Sequence, residues 1–70
     1  MNTEKFTANG RDFLIEVIKG DKSNLLVVYE TLPPAKKIAI YRGYYSVDSD
    51  TYGIFTDAKE WIKSYIMSGV

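Results

Sequence analysis

The sequence predicts an α+β fold: a four-stranded (alternatively three-stranded) antiparallel β-meander with one C-terminal α-helix packed on one face. Three observations support this prediction. An Asn-Gly pair at 9–10 separates two runs of alternating apolar residues, which is typical of a two-residue hairpin. A Pro-Pro pair at 33–34 separates two further apolar runs, because proline lacks the amide hydrogen that a strand interior needs. The last segment instead spaces its apolar residues as an amphipathic helix does.

The first two strands lie in "KFTANGRDFLIEVIK". A type I′ turn at Asn9-Gly10 places Phe6 opposite Phe13, and residues that are directly opposite share a face. One face then takes Leu14, Glu16 and Ile18. The other takes Phe6, Ala8, Phe13, Ile15 and Val17.

The next two strands are "LLVVYET" and "IAIYRGYYSV". In the first, apolar residues occupy both alternating sets of positions, as expected of a central strand that is covered on both sides. In the second, strict alternation would place Arg42 beside Ile38 and Ile40. We predict a bulge at Gly43, because a glycine inside a strand often marks one and a bulge shifts the parity by one residue. Tyr41 and Tyr44 would then point outward. The predicted inward residues are Ile38, Ile40, Tyr45 and Val47.

The last segment, "TDAKEWIKSYIMSG", is predicted to be the helix. Thr56 or Asp57 is the expected N-cap, and Glu60 follows Asp57 at the spacing of a capping box. Gly69 is the expected stop. The apolar positions at helical spacing are Ala58, Trp61, Ile62, Tyr65 and Ile66.

Composition excludes several functions. Lys plus Arg and Asp plus Glu each total 9, so the formal net charge is zero, and the chain has neither Cys nor His. No net field attracts nucleic acid or an anionic membrane, and the usual ligands for zinc, copper and iron are missing. The usual imidazole-activated nucleophiles are missing too. We therefore expect a non-enzymatic protein with no cofactor and no metal site.

The N-terminal residues do not resemble a signal peptide, and no apolar run approaches the roughly 20 residues that a membrane span needs. We expect a single domain over residues 1–70 in the cytoplasm.

The stretch 48–59 resembles a calcium loop only in part. Asp48 and Asp50 occupy the first and third positions of such a loop. Tyr52 takes the fifth position, where an oxygen ligand is wanted, and Lys59 takes the twelfth, which requires a bidentate glutamate. The segment is better interpreted as a polar turn that leads into the helix.

A basic, aromatic stretch at 33–47 supports an alternative function. "PPAKKIAIYRGYYSV" contains three basic residues and no acid, interleaved with tyrosines. Such a pattern suits stacking on bases and contacts with phosphates. Under this alternative, a nucleic-acid-binding or transcription-related module would use Lys36, Lys37, Tyr41, Arg42 and Tyr44. The other interpretation is a strand of β-forming tyrosines guarded by edge lysines.

The segment "GIFTDAKEWIKSY" at 53–65 is similar to the last strand and helix of the N-terminal DNA-binding domains of phage-type integrases. HicB-like antitoxins have similar endings. The matching residues are Phe55, Thr56, Ala58 and Trp61. The resemblance implies a three-stranded sheet followed by a helix. The strands here carry few Arg and Lys residues, so no binding residues are carried over from that family.

The main functional prediction comes from geometry. A helix is about 10 Å wide and a four-stranded sheet is about 19 Å wide, so one helix leaves the other face of the sheet uncovered. Leu14 and Ile18 lie on the uncovered face, with one half of 25–28, and the predicted bulge adds Tyr41 and Tyr44. Such a patch beside Arg42 has the composition of a protein-recognition surface.

We therefore expect a small inhibitor or adaptor that occupies a partner protein's surface. Its predicted binding residues are Leu14, Ile18, Tyr41, Arg42 and Tyr44. Homodimerisation through the same face is a version of this hypothesis. A short chain without cysteine or net charge fits an inhibitor or adaptor of the sort carried by phages and mobile elements, an origin suggested by its size alone, and an anti-defence inhibitor is one form.

Overall fold

The computed structural model describes residues 2–69 and contains four strands and one helix. The elements are β1 (Asn2–Ala8), β2 (Arg11–Lys19), β3 (Ser23–Leu32), β4 (Lys36–Ser46) and α1 (Thr51–Met67). The strands form one antiparallel sheet in the order β1-β2-β3-β4. The predicted four-stranded α+β meander is therefore confirmed.

The first hairpin follows the chemistry of its turn. Asn9 and Gly10 have φ angles of 52° and 74°, which is the left-handed region that a type I′ turn requires. The pairing places Phe6 opposite Phe13 and Ala8 opposite Arg11, as the sequence predicted.

The core lies between the sheet and α1. Phe13, Ile15 and Val17 are at most 1% exposed, and α1 covers them with its own buried residues Ile54 and Ile62. Removing an isoleucine or phenylalanine side chain from water contributes about 1.5–3 kcal/mol each. The burial of these side chains against α1 therefore determines which face of the sheet the helix covers. The full buried apolar cluster is Phe13, Ile15, Val17, Leu26, Val28, Ile54, Ala58 and Ile62.

The bulge in β4 lies at Ile40, so the prediction of a bulge at Gly43 was wrong. Val28 pairs with Tyr41 but Tyr29 pairs with Ala39, which leaves Ile40 as the extra residue. Gly43 lies in regular pairing instead. Its missing side chain makes room for the ring of Tyr41, since a Cβ there would lie 2.8 Å from the Tyr41 hydroxyl oxygen.

The position of the bulge determines the two faces of β4. Tyr41 and Tyr45 pair with Val28 and Asn24, so they lie on the face that carries α1. Tyr44 lies on the opposite face, as predicted, whereas the outward placement of Tyr41 was wrong. The physical reason is that the shift in parity occurs before Tyr41 rather than after it.

The helix begins before the predicted start. Asp50 is the N-cap, with extended backbone angles, and its Oδ2 accepts a hydrogen bond from the Gly53 amide at 3.3 Å. The predicted caps, Thr56 and Asp57, lie inside the helix, and so do residues 53–55, which the integrase resemblance placed in a strand. Apolar burial explains the longer helix, because Ile54 belongs to the core stripe.

The helix ends at Met67, and the Gly69 amide, at a φ of 85°, bonds the Ile66 carbonyl at 3.1 Å. This is the predicted stop. Within residues 2–69, no helix is long and apolar enough to cross a membrane.

Candidate functional site

The sheet face opposite α1 is called the open face here. Antiparallel register aligns its side chains into rows that run across the strands. One row places Ile18 opposite Leu25 and Leu25 opposite Tyr44. Tyr44 is 76% exposed and Ile18 is 36% exposed, and Leu25 between them is half-buried. We call these three residues the apolar row.

The adjacent row is flanked by charges. Val27 lies between Glu16 on β2 and Arg42 on β4. Val27 is only 2% exposed although it lies on the open face. The stems of the long neighbouring side chains account for this shielding. The accessible apolar surface is therefore smaller than the sequence count of apolar residues implies.

A third row contains Leu14, Tyr29 and Ala39. The Tyr29 hydroxyl donates to Glu16 Oε1 at 3.0 Å, and the ammonium group of Lys37 lies 4.5 Å from the centre of the Tyr29 ring. Burial, and then the hydrogen bond to Glu16, raise the pKa of Tyr29 above its ordinary value. Polar contacts thus hold this row in place.

Beside Leu14 the open face has a shallow cleft of about 420 Å³. Its lining residues are Lys5, Thr7, Asp12, Phe13, Leu14 and Thr31. The cleft is polar at its rim, where the Thr7 hydroxyl donates to Asp12 Oδ1 at 2.8 Å.

The open face brings together four of the five residues that the sequence predicted for protein binding. Leu14, Ile18, Arg42 and Tyr44 lie on it. Tyr41 does not, because the bulge at position 40 turns it toward α1.

Sequence reasoning missed Tyr29, and it included Leu25 only as a member of one half of 25–28. Both could have been placed by extending the Asn9-Gly10 register from β2 into β3, once the length of the turn at 20–22 was known.

The residues proposed for nucleic-acid contact do not form one surface. Lys37, Arg42 and Tyr44 lie on the open face, whereas Tyr41 lies on the helix side. Side-chain alternation at the start of β4 places Lys36 on the helix side as well. Base stacking and phosphate contacts from this set would have to come from both sides of the sheet.

An aromatic row on the helix side was not expected from the sequence. The centres of the Tyr41 and Trp61 rings are 4.7 Å apart, and those of Trp61 and Tyr65 are 5.1 Å apart. All three side chains are half-buried. We call Tyr41, Trp61 and Tyr65 the aromatic row. The four-residue spacing between Trp61 and Tyr65 indicated that the two rings share one face of the helix. The sequence analysis interpreted both only as apolar positions of the helix.

Polar contacts join α1 and the sheet on the side of the aromatic row. The Tyr45 hydroxyl donates to Asp57 Oδ2 at 3.5 Å near the start of the helix. Burial, and then the charge of Asp57, raise the pKa of Tyr45. At the other end of the helix, Arg11 lies 5.5 Å from the centre of the Tyr65 ring and donates two hydrogen bonds to Glu30, at 2.7 and 2.8 Å. These bonds hold the pKa of Glu30 below its ordinary value.

Acidic groups do not converge on a metal position. Among the residues from 2 to 69, no cluster of three His, Cys, Asp or Glu side chains could hold an ion. Asp50, a member of the partial calcium loop, is used as the helix cap.

Comparisons of this chain with protein-family models, with curated proteins and with solved structures give no match.

Proposed function

We propose that this chain is a small non-enzymatic protein-binding module, an inhibitor or adaptor that occupies a partner protein's surface with its open face. One observation carries the proposal. The apolar row of Ile18, Leu25 and Tyr44 crosses three strands, and no element within residues 2–69 covers it. An exposed aromatic side chain beside exposed aliphatic ones is the usual centre of a recognition surface.

The surroundings of the apolar row support this proposal. Glu16 and Arg42 form the neighbouring row, so charges rim the apolar residues on one side. Protein interfaces combine an apolar, aromatic centre with a polar rim in this way, and Tyr and Arg are enriched among the residues that carry the binding energy.

The dimensions of the open face favour a modest affinity. Four strands at about 4.8 Å spacing and about nine paired residues at about 3.3 Å rise give a face of roughly 19 by 30 Å, or about 570 Å². Stable complexes bury about 800 Å² per partner. A partner that used the open face alone would therefore bind transiently, unless its contacts extend beyond the sheet.

Two tyrosines give a matched test. Tyr44 on the open face and Tyr52 on α1 are 76% and 77% exposed. We expect Tyr44→Lys to lose a partner protein that the wild-type chain captures from host lysate, and Tyr52→Lys to keep it. Equal capture by both variants would show that the open face is not the binding surface.

The same capture separates protein recognition from the alternatives. Contacts with phosphates weaken steeply between about 50 and 200 mM salt, whereas apolar contacts do not. If nuclease treatment and added salt both release the captured species, the result would support the nucleic-acid alternative. A concentration-dependent dimer in sedimentation, lost in Tyr44→Lys, would identify a second copy as the occupant.

A further inference from the structure

The outer edge of β4 is a second surface, distinct from the open face. β4 is the last strand in the order β1-β2-β3-β4 and, at 11 residues, the longest. The outward backbone groups of its residues have no strand partner within residues 2–69. We propose that this edge accepts an added strand from a partner protein, an extended segment in which apolar residues alternate with acidic ones.

The apolar half of the pattern follows from the helix side of the edge. α1 packs mainly over β1, β2 and β3 and reaches β4 through Trp61, whose ring centre lies 4.7 Å from that of Tyr41. Tyr41 remains only half-buried on the edge strand, and Ile38 on the same side of β4 is 39% exposed. An added strand would place every second side chain against Tyr41 and Ile38, where apolar side chains gain the most burial.

The acidic half follows from the other side of the same edge. Lys37 and Arg42 lie on the open face of β4, and both are exposed. The stretch 33–47 contains no Asp or Glu. The acids of β2 on this face, Asp12 and Glu16, lie two strands away and accept hydrogen bonds from Thr7 and Tyr29. Cross-strand pairs of opposite charge stabilise a sheet, so the alternate side chains of the added strand should be acidic.

Charge also excludes a second copy of the chain as the occupant. Pairing β4 with β4 of another molecule would place two sets of Lys36, Lys37 and Arg42 in one ribbon that has no acid. Like charges on paired strands are destabilising, and edge lysines protect against this kind of self-association. The same residues that prevent self-pairing select an acidic partner strand.

A synthetic peptide tests the inference without a known partner. The probe is a capped ten-residue peptide of alternating Val and Glu, and the matched control alternates Val and Lys. In amide NMR spectra, the Val/Glu peptide should shift the resonances of 36–46 and the indole N–H of Trp61. It should also slow hydrogen exchange along β4. The Val/Lys peptide should bind at least about tenfold more weakly, since it repeats the charge of the edge.

Charge reversal then assigns the preference to β4. Lys37→Glu combined with Arg42→Glu should exchange the order of affinities for the two peptides. Lys19→Glu combined with Lys22→Glu makes the same change in net charge away from the edge and should leave the order unchanged. Both pairs are exposed, and the dispersion of the NMR spectrum reports whether each variant is folded.

Several outcomes would overturn the inference. They are shifts confined to the open-face residues Ile18 and Leu25, shifts at β1, an order of affinities that ignores the reversal at β4, and no shift with either peptide at millimolar concentration. The inference does not depend on the open face. The Tyr44 and Tyr52 capture experiment can fail while the peptide binds β4, and the reverse can also occur.

Discussion

Exchanging two tyrosines of β4 for threonine tests the register directly. Tyr41 and Tyr44 are three residues apart on one strand, but the bulge at Ile40 places Tyr41 against Trp61 and leaves Tyr44 76% exposed. Tyrosine and threonine both favour β-strands, so the difference between the two variants isolates side-chain packing. We expect Tyr41→Thr to be destabilising and Tyr44→Thr to be nearly neutral.

The magnitude can be worked from the contacts. A fully buried aromatic side chain is worth about 3–5 kcal/mol when it is removed, and half-buried Tyr41 should lose roughly half of that. Loss of its ring contact with Trp61 adds about 0.5–1.5 kcal/mol. The expected cost is about 2–4 kcal/mol, against about 0.5 kcal/mol or less for Tyr44. A chain of this length has about 4–10 kcal/mol of stability in total, so the effect is large.

Urea unfolding followed by circular dichroism measures the difference. At a slope of about 1 kcal/mol per molar urea, Tyr41→Thr should lower the midpoint by about 2–4 M. The fluorescence of Trp61, the only tryptophan in the chain, should change in the folded state of Tyr41→Thr alone. Equal costs, or a larger cost for Tyr44→Thr, would refute the assignment of the faces.

Three further predictions concern the remaining structural features. The hydrogen bonds from Arg11 lower the pKa of Glu30, so ionised Glu30 stabilises the fold above its ordinary pKa of about 4.5 and the contribution is lost as the pH falls through the lowered value. Glu30→Gln should therefore reduce the fall in the free energy of unfolding that occurs as the pH is lowered. An unchanged fall would contradict the pairing of Arg11 with Glu30. Gly10→Ala should cost about 1 kcal/mol because of its positive φ, whereas Gly53→Ala, inside α1, should stabilise by about 0.5–1 kcal/mol in the same urea assay. Asp50→Ala should lower helix stability by about 1 kcal/mol, whereas Asp50→Asn keeps the capping oxygen and should not, as thermal unfolding would show.

The sequence was most informative where local chemistry dictates geometry. The Asn9-Gly10 turn determined the β1–β2 register, because only residues that tolerate positive φ fit a two-residue hairpin. That register correctly placed Phe13 and Ile15 on one face and Leu14 on the other.

Sequence reasoning failed in β4, where both Gly43 and Ile40 could have been the bulge residue. Gly43 is the residue a bulge favours, but packing decided otherwise. A regular Gly43 gives room to the Tyr41 ring, which packs at a tilt against Trp61, and the extra residue is Ile40. Contacts between β4 and α1 are long-range, so no local pattern could reveal them. One misplaced bulge therefore moved Tyr41 to the wrong face and hid the aromatic row.

The order of elements along the chain has a consequence for biosynthesis. Each strand pairs with its neighbour in sequence, so the sheet closes hairpin by hairpin as the polypeptide leaves the ribosome. The apolar side of that sheet, with Phe13, Ile15 and Val28, is covered by α1, which is synthesised after all four strands. Nascent chains therefore expose the most apolar surface just before residues 51–67 are released from the ribosome. A chaperone that binds apolar surface would bind them best in that interval.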